Sequence, residues 1–154
     1  QVELVDAPVS GGSARAAGGD LLIMVGGTHS AVDRVQPLLD AGISELVGEG
    51  YRVSESITLR LGPGHTPGHL IMDVRSAGDS ALFVGDILHH PAQVYCPDWN
   101  SPYCEDQPQA RRTRRRVLED AADRNALIVP AHFGVHCCRV RRRGDAFEPI
   151  FELP

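Results

Sequence analysis

The sequence predicts an α/β chain, and three observations carry that prediction. Short continuous apolar runs such as LLIMVGG, ALFVGD and ALIVPAHF suit buried strands, and each runs into a glycine, aspartate or histidine at its end. Between them lie stretches with helical spacing of apolar residues. The order strand, loop, strand, helix at the start of the chain is that of an α/β layer.

The elements follow in order. VELVDAPV is a short strand pattern that leads through the glycine-rich SGGSARAAGG into LLIMVGG. THSAVDRVQPLLDA has Val32, Val35, Leu38 and Leu39 on one helical face, with Thr28 or Ser30 as N-cap. Pro37 inside it removes a donor, which predicts a kinked or shortened helix. AGISELVGEG, residues 41–50, is the expected junction. SITLRLG is a strand that delivers the loop GPGHTPGH, and LIMDVRS, the turn SAGDS and ALFVGD follow. HHPAQVYCPDWNSPYCEDQP lacks periodicity and reads as a long surface loop, a length usually tied to function. A helix is expected from Asp106 to Arg124, with Val117, Leu118, Ala121 and Ala122 inward. ALIVPAHF is a buried strand ending at His132, and CCRVRRRGDAFEPIF is a hairpin turned at Arg143, Gly144 and Asp145.

Composition narrows the class. A chain of 154 residues suffices for one domain burying roughly 70% of its unfolded surface. With 42% hydrophobic and 23% charged residues the chain is expected to fold rather than remain disordered. No apolar run approaches the ~20 residues of a membrane span, and no leader pattern opens the chain. It opens at Gln1 rather than Met, so the start of the protein is expected elsewhere. Four cysteines, two of them adjacent, do not make a disulfide framework, which favours a soluble cytoplasmic protein with reduced thiols.

All fifteen basic residues are arginine, so any mechanism that needs lysine is excluded. Residues 1–50 hold seven acids and two arginines, whereas residues 51–154 hold thirteen of each. Arg111, Arg112, Arg114, Arg115 and Arg116 form a basic run balanced by Glu119, Asp120 and Asp123. The pairs Arg115–Glu119 and Arg116–Asp120, spaced i,i+4, point to a solvated helix face rather than a nucleic-acid surface. Cys96, Cys104, Cys137 and Cys138 with His136 lack the spacing of a structural zinc site. Trp99 reads as packing for the long loop or as a wall of a cleft.

His69, Asp86 and His132 each stand just past the C-terminal end of an expected strand, where α/β scaffolds gather site residues. Two imidazoles and a carboxylate suit zinc, manganese or iron with positions left for water. A water so bound, its pKa near 7, is a nucleophile at neutral pH. Spacing alone leaves open that each is an isolated polar residue at a strand end.

LRLGPGHTPGHLIMDV, ALFVGDILHHPAQ, PDW and VPAHF, in this order, resemble the C-terminal half of metallo-β-lactamase-fold hydrolases, nearest the lactonase and methyl parathion hydrolase branch. The resemblance covers residues ~51–150. It implies a partial metallo-β-lactamase-like αβ layer binding one or two divalent metals, with Asp86 bridging them as the catalytic carboxylate. His69 would bind one metal and His132 the other, while His65 would orient rather than ligate and His89 would line the site. The family's H-x-H-x-D-H motif, which supplies the remaining ligands, is absent from these 154 residues. The implied unit is therefore truncated, its hydrolysis of an ester, lactone or phosphotriester weak or lost.

VDAPVSGGSARAAGGDLLIMVGG resembles the substrate-binding stretch of 3-hydroxyisobutyrate and other β-hydroxyacid dehydrogenases. There Ser10, Gly11 and Gly12 would contact a substrate carboxylate, backbone N–H groups cradling the anion. The sequence holds neither a G-x-G-x-x-G loop nor the family's lysine, so dehydrogenase activity is not expected. The reading is thus a chimera: residues 1–40 of dehydrogenase type, a junction at 41–50, and 51–154 of hydrolase type. A half-sandwich should expose an apolar sheet face or an unpaired edge. The N-terminal piece packed on it, or a symmetric homodimer, would cover that face. The alternative function is a non-catalytic remnant or oligomeric binding module with an anion-cradling Ser10–Gly12 loop. Neither nucleic acid nor membrane is an expected partner.

Overall fold

The computed structural model describes residues 9–10, 22–23, 36–42, 47–134 and 137–151. Its centre is a four-stranded sheet in the order β3-β4-β5-β6, formed by β3 (Ile57–Leu61), β4 (Leu70–Ser76), β5 (Asp79–Gly85) and β6 (Leu127–Pro130). The first three strands are antiparallel neighbours, and β6 runs parallel to β5. A parallel pair needs a crossover, and the helix α3 (Gln107–Arg124) supplies it. Before the sheet lie β1 (Val9–Ser10), its antiparallel partner β2 (Leu22–Ile23) and the helix α1 (Gln36–Asp40). Of the helix expected over THSAVDRVQPLLDA, residues Gln36–Asp40 are described.

Alternation sorts the sheet into two faces. Ile71, Asp73, Leu82, Val84 and Ile128 point to α3 and are buried with its Val117, Leu118 and Ala121. The hairpin of β7 (Arg139–Arg143) and β8 (Ala146–Ile150) closes this core with Val140 and Phe147, turning at Gly144 and Asp145 as its spacing predicts. The opposite face carries Leu61, Leu70, Met72 and Phe83, of which Leu61 is 36% and Phe83 40% exposed. The apolar face expected of a half-sandwich is thus exposed in part, for Leu59, opposite Met72 on the same face, is buried. The free edge of β3, by contrast, is paired: Leu59 N–H donates to the Tyr51 carbonyl at 2.8 Å, and Gly50 N–H to the Leu59 carbonyl at 2.9 Å.

Two expectations need correction. The stretch from His89 to Pro108 is not all surface loop, for it contains the short helix α2 (Ala92–Tyr95) and buries Gln93, Val94, Ser101 and Cys104. The arginine run is not all solvated either, because Arg114 is 0% exposed. Nor do its neighbours form the i,i+4 pairs predicted: Arg115 pairs with Asp98 at 3.3 Å and Arg116 donates to the Leu61 carbonyl at 2.8 Å. The helix itself starts as its sequence requires, with the Asp106 carboxylate accepting from Gln109 N–H at 2.9 Å and Pro108 in the first turn. It ends at Asn125 in the left-handed conformation, φ 51°.

Candidate metal centre

Three loops converge at the C-terminal ends of β5 and β6. The first is GPGHTPGH, residues 62–69, joining β3 to β4. Gly62 N–H donates to the His69 carbonyl at 2.7 Å, so the loop closes on itself. Its tip presses onto the start of α3: Asp106 N–H donates to the Gly64 carbonyl at 3.0 Å, and Glu105 N–H to the His65 carbonyl at 3.0 Å. Gly64 has φ 134°, and a Cβ there would stand 2.3 Å from the Ala110 backbone nitrogen. Only glycine permits that approach. The second loop follows β5, where Gly85 at φ 47° turns the chain and Asp86 emerges. The third follows β6, tied by Ala131 N–H to the Gly85 carbonyl at 3.2 Å, and carries His132.

The Asp86 carboxylate is the focus. His132 Nε2 stands 2.6 Å and His89 Nε2 3.9 Å from its Oδ1, while His65 Nε2 stands 3.6 Å from Oδ2. The His89 and His132 rings stack with centroids 5.4 Å apart and an 8° interplanar angle. His65 lies tilted against His89 at 5.1 Å, its Nδ1 3.9 Å from Cys104 Sγ. His69 is turned differently. Its Nε2 accepts the Asp86 backbone N–H at 3.2 Å, so that nitrogen holds the strand end rather than facing the carboxylate. His90 is exposed and accepts the Ala92 N–H on its Nδ1 at 3.1 Å.

Charge and burial fit a cation. Oδ1 of Asp86 is shielded from solvent yet accepts no hydrogen bond, despite the nearby His132 nitrogen, and Nδ1 of His89 is likewise buried without one. Burial pushes the His89 imidazole below its ordinary value against the pull of Asp86, which favours the neutral form a metal requires. Among the described residues, one group has converging donor atoms: Asp86, His89 and His132, all within 4.8 Å of one another. Two imidazoles and a carboxylate are a usual donor set for zinc, manganese or iron, and an orphaned carboxylate oxygen facing two imidazoles fits such an ion.

Behind the donors stands one turn of α3. Thr113 Oγ1 donates to the Pro63 carbonyl at 2.6 Å, fixing the first loop. Arg114 donates to the carbonyls of Ile87 at 2.9 Å, Pro97 at 2.6 Å and Trp99 at 2.8 Å. Burial lowers its pKa, yet the guanidinium keeps its charge because carbonyl dipoles surround it. Gln93 completes the brace. Its side-chain oxygen accepts from His89 N–H at 2.7 Å and His90 N–H at 3.2 Å, and its amide donates to the Trp99 carbonyl at 2.9 Å.

Sequence reasoning picked out His65, His69, Asp86, His89 and His132, and the structure brings all of them to one place. It missed Gln93, Cys104, Thr113 and Arg114. For Arg114 a signal existed: Ala110, Arg114, Val117, Leu118 and Ala121 fall on one helical stripe, so the arginine shares the buried face. Ser10 closes β1, while Gly11, Gly12 and His136 lie outside the described residues.

Comparison with known proteins finds both of the parts that the motifs suggest. Residues 1–53 match the family model for the NAD binding domain of 6-phosphogluconate dehydrogenase. L-threonate dehydrogenase from Pectobacterium atrosepticum is 44% identical over 59 residues, 38% of this chain and 18% of that relative. NAD-dependent L-serine dehydrogenase from Pseudomonas aeruginosa is 53% identical over 38 residues, 25% of this chain and 13% of that relative. The chain therefore spans less than a fifth of these curated relatives.

Solved structures match over a larger share of the chain. Hydrolase AbOPH of the beta lactamase superfamily superposes with a TM-score of 0.70 at 21% identity, covering 78% of this chain and 42% of that one. The dizinc quorum-quenching lactonase AidC gives 0.69 at 23% identity, covering 80% and 43%. A probable metal-dependent hydrolase from Staphylococcus aureus gives 0.63 at 21% identity, covering 74% and 42%. At these identities the likeness establishes the fold, and this chain spans under half the length of those hydrolases.

Proposed function

We propose, from the premise that this chain joins a segment of NAD-binding dehydrogenase type to part of a metallo-β-lactamase-fold unit, that it is a metal-dependent hydrolase of low activity. The observation that carries the reading is the Asp86 carboxylate, with an orphaned Oδ1, ringed by the Nε2 atoms of His65, His89 and His132. A divalent metal held there, zinc first and manganese or iron as alternatives, supplies Lewis acidity and a more acidic water. The chain's own residues do the rest. Asp86 provides the negative charge that holds the cation, His132 and His89 give neutral nitrogens, and His65 faces the second carboxylate oxygen. The Gly62–His69 loop and Arg114 keep these groups in place. His132, its side chain 55% exposed, opens the site to a small ester, lactone or phosphotriester.

Low activity is expected because the 154 residues contain no H-x-H-x-D-H, the motif that contributes further ligands where the fold is whole. The test is hydrolysis of a chromogenic ester, a lactone and a phosphotriester by zinc-loaded and metal-stripped protein beside Asp86→Asn. Metal-dependent turnover lost in Asp86→Asn supports the reading. Turnover equal in all three preparations refutes it.

A second reading, a self-associating binding module without catalysis, is favoured by Leu61 and Phe83 exposed on one sheet face. Sedimentation of the wild type and Phe83→Ser separates them: a dimer dissociated by the substitution supports the module, and a monomer removes it.

A further inference from the structure

We propose that this chain holds one divalent metal, not two, on Asp86, His89 and His132, with His89 serving as a ligand from the same loop as Asp86. The inference rests on the metal-dependent reading above and specifies its centre. It departs from the ligand set that the sequence resemblance implies, which assigns His69 and leaves His89 outside.

Geometry favours His89 over His69. Ligand bonds of about 2.0–2.1 Å arranged tetrahedrally leave donor atoms roughly 3.3 Å apart. The His132 and His89 nitrogens stand 2.6 and 3.9 Å from Asp86 Oδ1, on either side of that spacing, and side-chain shifts of well under 1 Å bring both to it. Both rings offer the same atom, Nε2, to that one oxygen. His69 instead has its Nε2 committed to the Asp86 backbone N–H. Turning it toward the carboxylate would break that bond beneath Gly85, whose added Cβ would already stand 3.0 Å from this nitrogen.

His89 is also braced in advance. Gln93, buried in α2, accepts the backbone N–H groups of both His89 and His90, so the loop is fixed without a metal. A ligand held in place by such a brace loses little freedom on binding. A second ion has no comparable shell: among the described residues only Asp86, His89 and His132 form a converging group.

The experiment is a titration of the metal-stripped full chain with Co²⁺, read by visible absorption and calorimetry, for wild type, His89→Ala, His89→Gln and His69→Gln. Circular dichroism establishes that each is folded. The expected result is one equivalent per chain, weakened about 100-fold or more by either substitution of His89. His69→Gln, whose amide can still accept the Asp86 N–H, should keep one equivalent and lose less affinity than either His89 variant. Two equivalents in the wild type, unchanged affinity in both folded His89 variants, or loss of binding in His69→Gln each overturn the proposal. No uptake by the wild type overturns both it and the functional reading. One equivalent without any hydrolysis leaves the centre standing and removes only the catalysis.

Discussion

Two aspartates on the same sheet are treated in opposite ways. Asp73, in the middle of β4, is buried and receives guanidinium donors from Arg60 at 3.2 Å, Arg75 at 3.1 Å and Arg124 at 2.8 and 2.9 Å. Asp120 on α3 balances the cluster, accepting from Arg60 at 2.6 Å and Arg124 at 3.1 Å. Asp86, one residue beyond β5, has imidazoles around it but no hydrogen bond on Oδ1. A buried carboxylate saturated by arginines ties sheet to helix and has no capacity left for a ligand. A carboxylate left unsatisfied among imidazoles is a cost to the fold that a bound cation would relieve. The first is architecture, and the second fits a cation.

That contrast can be broken by substitution. Asp73→Ala removes the acceptor that three arginines share, though Arg60 and Arg124 keep Asp120 and Arg75 is largely exposed, and should cost about 1–3 kcal/mol of stability, read by denaturant unfolding, with Co²⁺ stoichiometry retained in the folded fraction. Arg114→Met leaves the Ile87, Pro97 and Trp99 carbonyls without their donor and should cost about 3 kcal/mol. It differs from Asp73→Ala in also weakening metal binding, because Ile87 adjoins Asp86. Asp86→Asn should change metal-free stability by no more than about 1 kcal/mol, since Oδ1 has no hydrogen bond to lose. Zinc at a hundred times its dissociation constant should then stabilise the wild type by about 2.7 kcal/mol and leave Asp86→Asn unmoved.

Acid sharpens the comparison further. Burial pushes the Asp73 carboxyl up, but hydrogen bonds from Arg124 and Arg75 outweigh it and hold the pKa well below the ordinary 3.8. The unfolded chain therefore takes up this proton more readily than the folded one. The stabilisation from Asp73 is full at neutral pH, begins to fade as the pH nears the ordinary value, and is lost as the pH falls through the depressed one. Urea unfolding from pH 7 to 2 should show this acid loss in the wild type and a shallower one in Asp73→Asn.

The difference between the regions also marks what the sequence could reveal. Strand ends followed by histidine or aspartate announce a site because strand pattern and residue chemistry are both local, and Asp86 and His132 were legible for that reason; His69, expected past a strand end as well, instead lies directly before β4. The hairpins at Ala77–Gly78 and Gly144–Asp145 were legible too, their glycines sitting at φ 90° and 60°. Arg114 was hidden because arginine is rarely buried, and its carbonyl partners lie up to 27 residues away in an irregular stretch. The Asp73 cluster was hidden likewise, its charges coming from β3, β4 and α3 with separations of up to 60 residues. The role of His89 depended on Gln93, four residues on, whose side chain turns an aperiodic loop into a brace.

The most direct test of the account is elemental analysis of the purified full chain beside Asp86→Ala and Asp73→Asn. The account predicts near-stoichiometric zinc, manganese or iron in the wild type and in folded Asp73→Asn, and none in Asp86→Ala. Metal absent from the wild type, or equal in Asp86→Ala, would contradict it, and Asp86 would then be a strained carboxylate without a cation to hold.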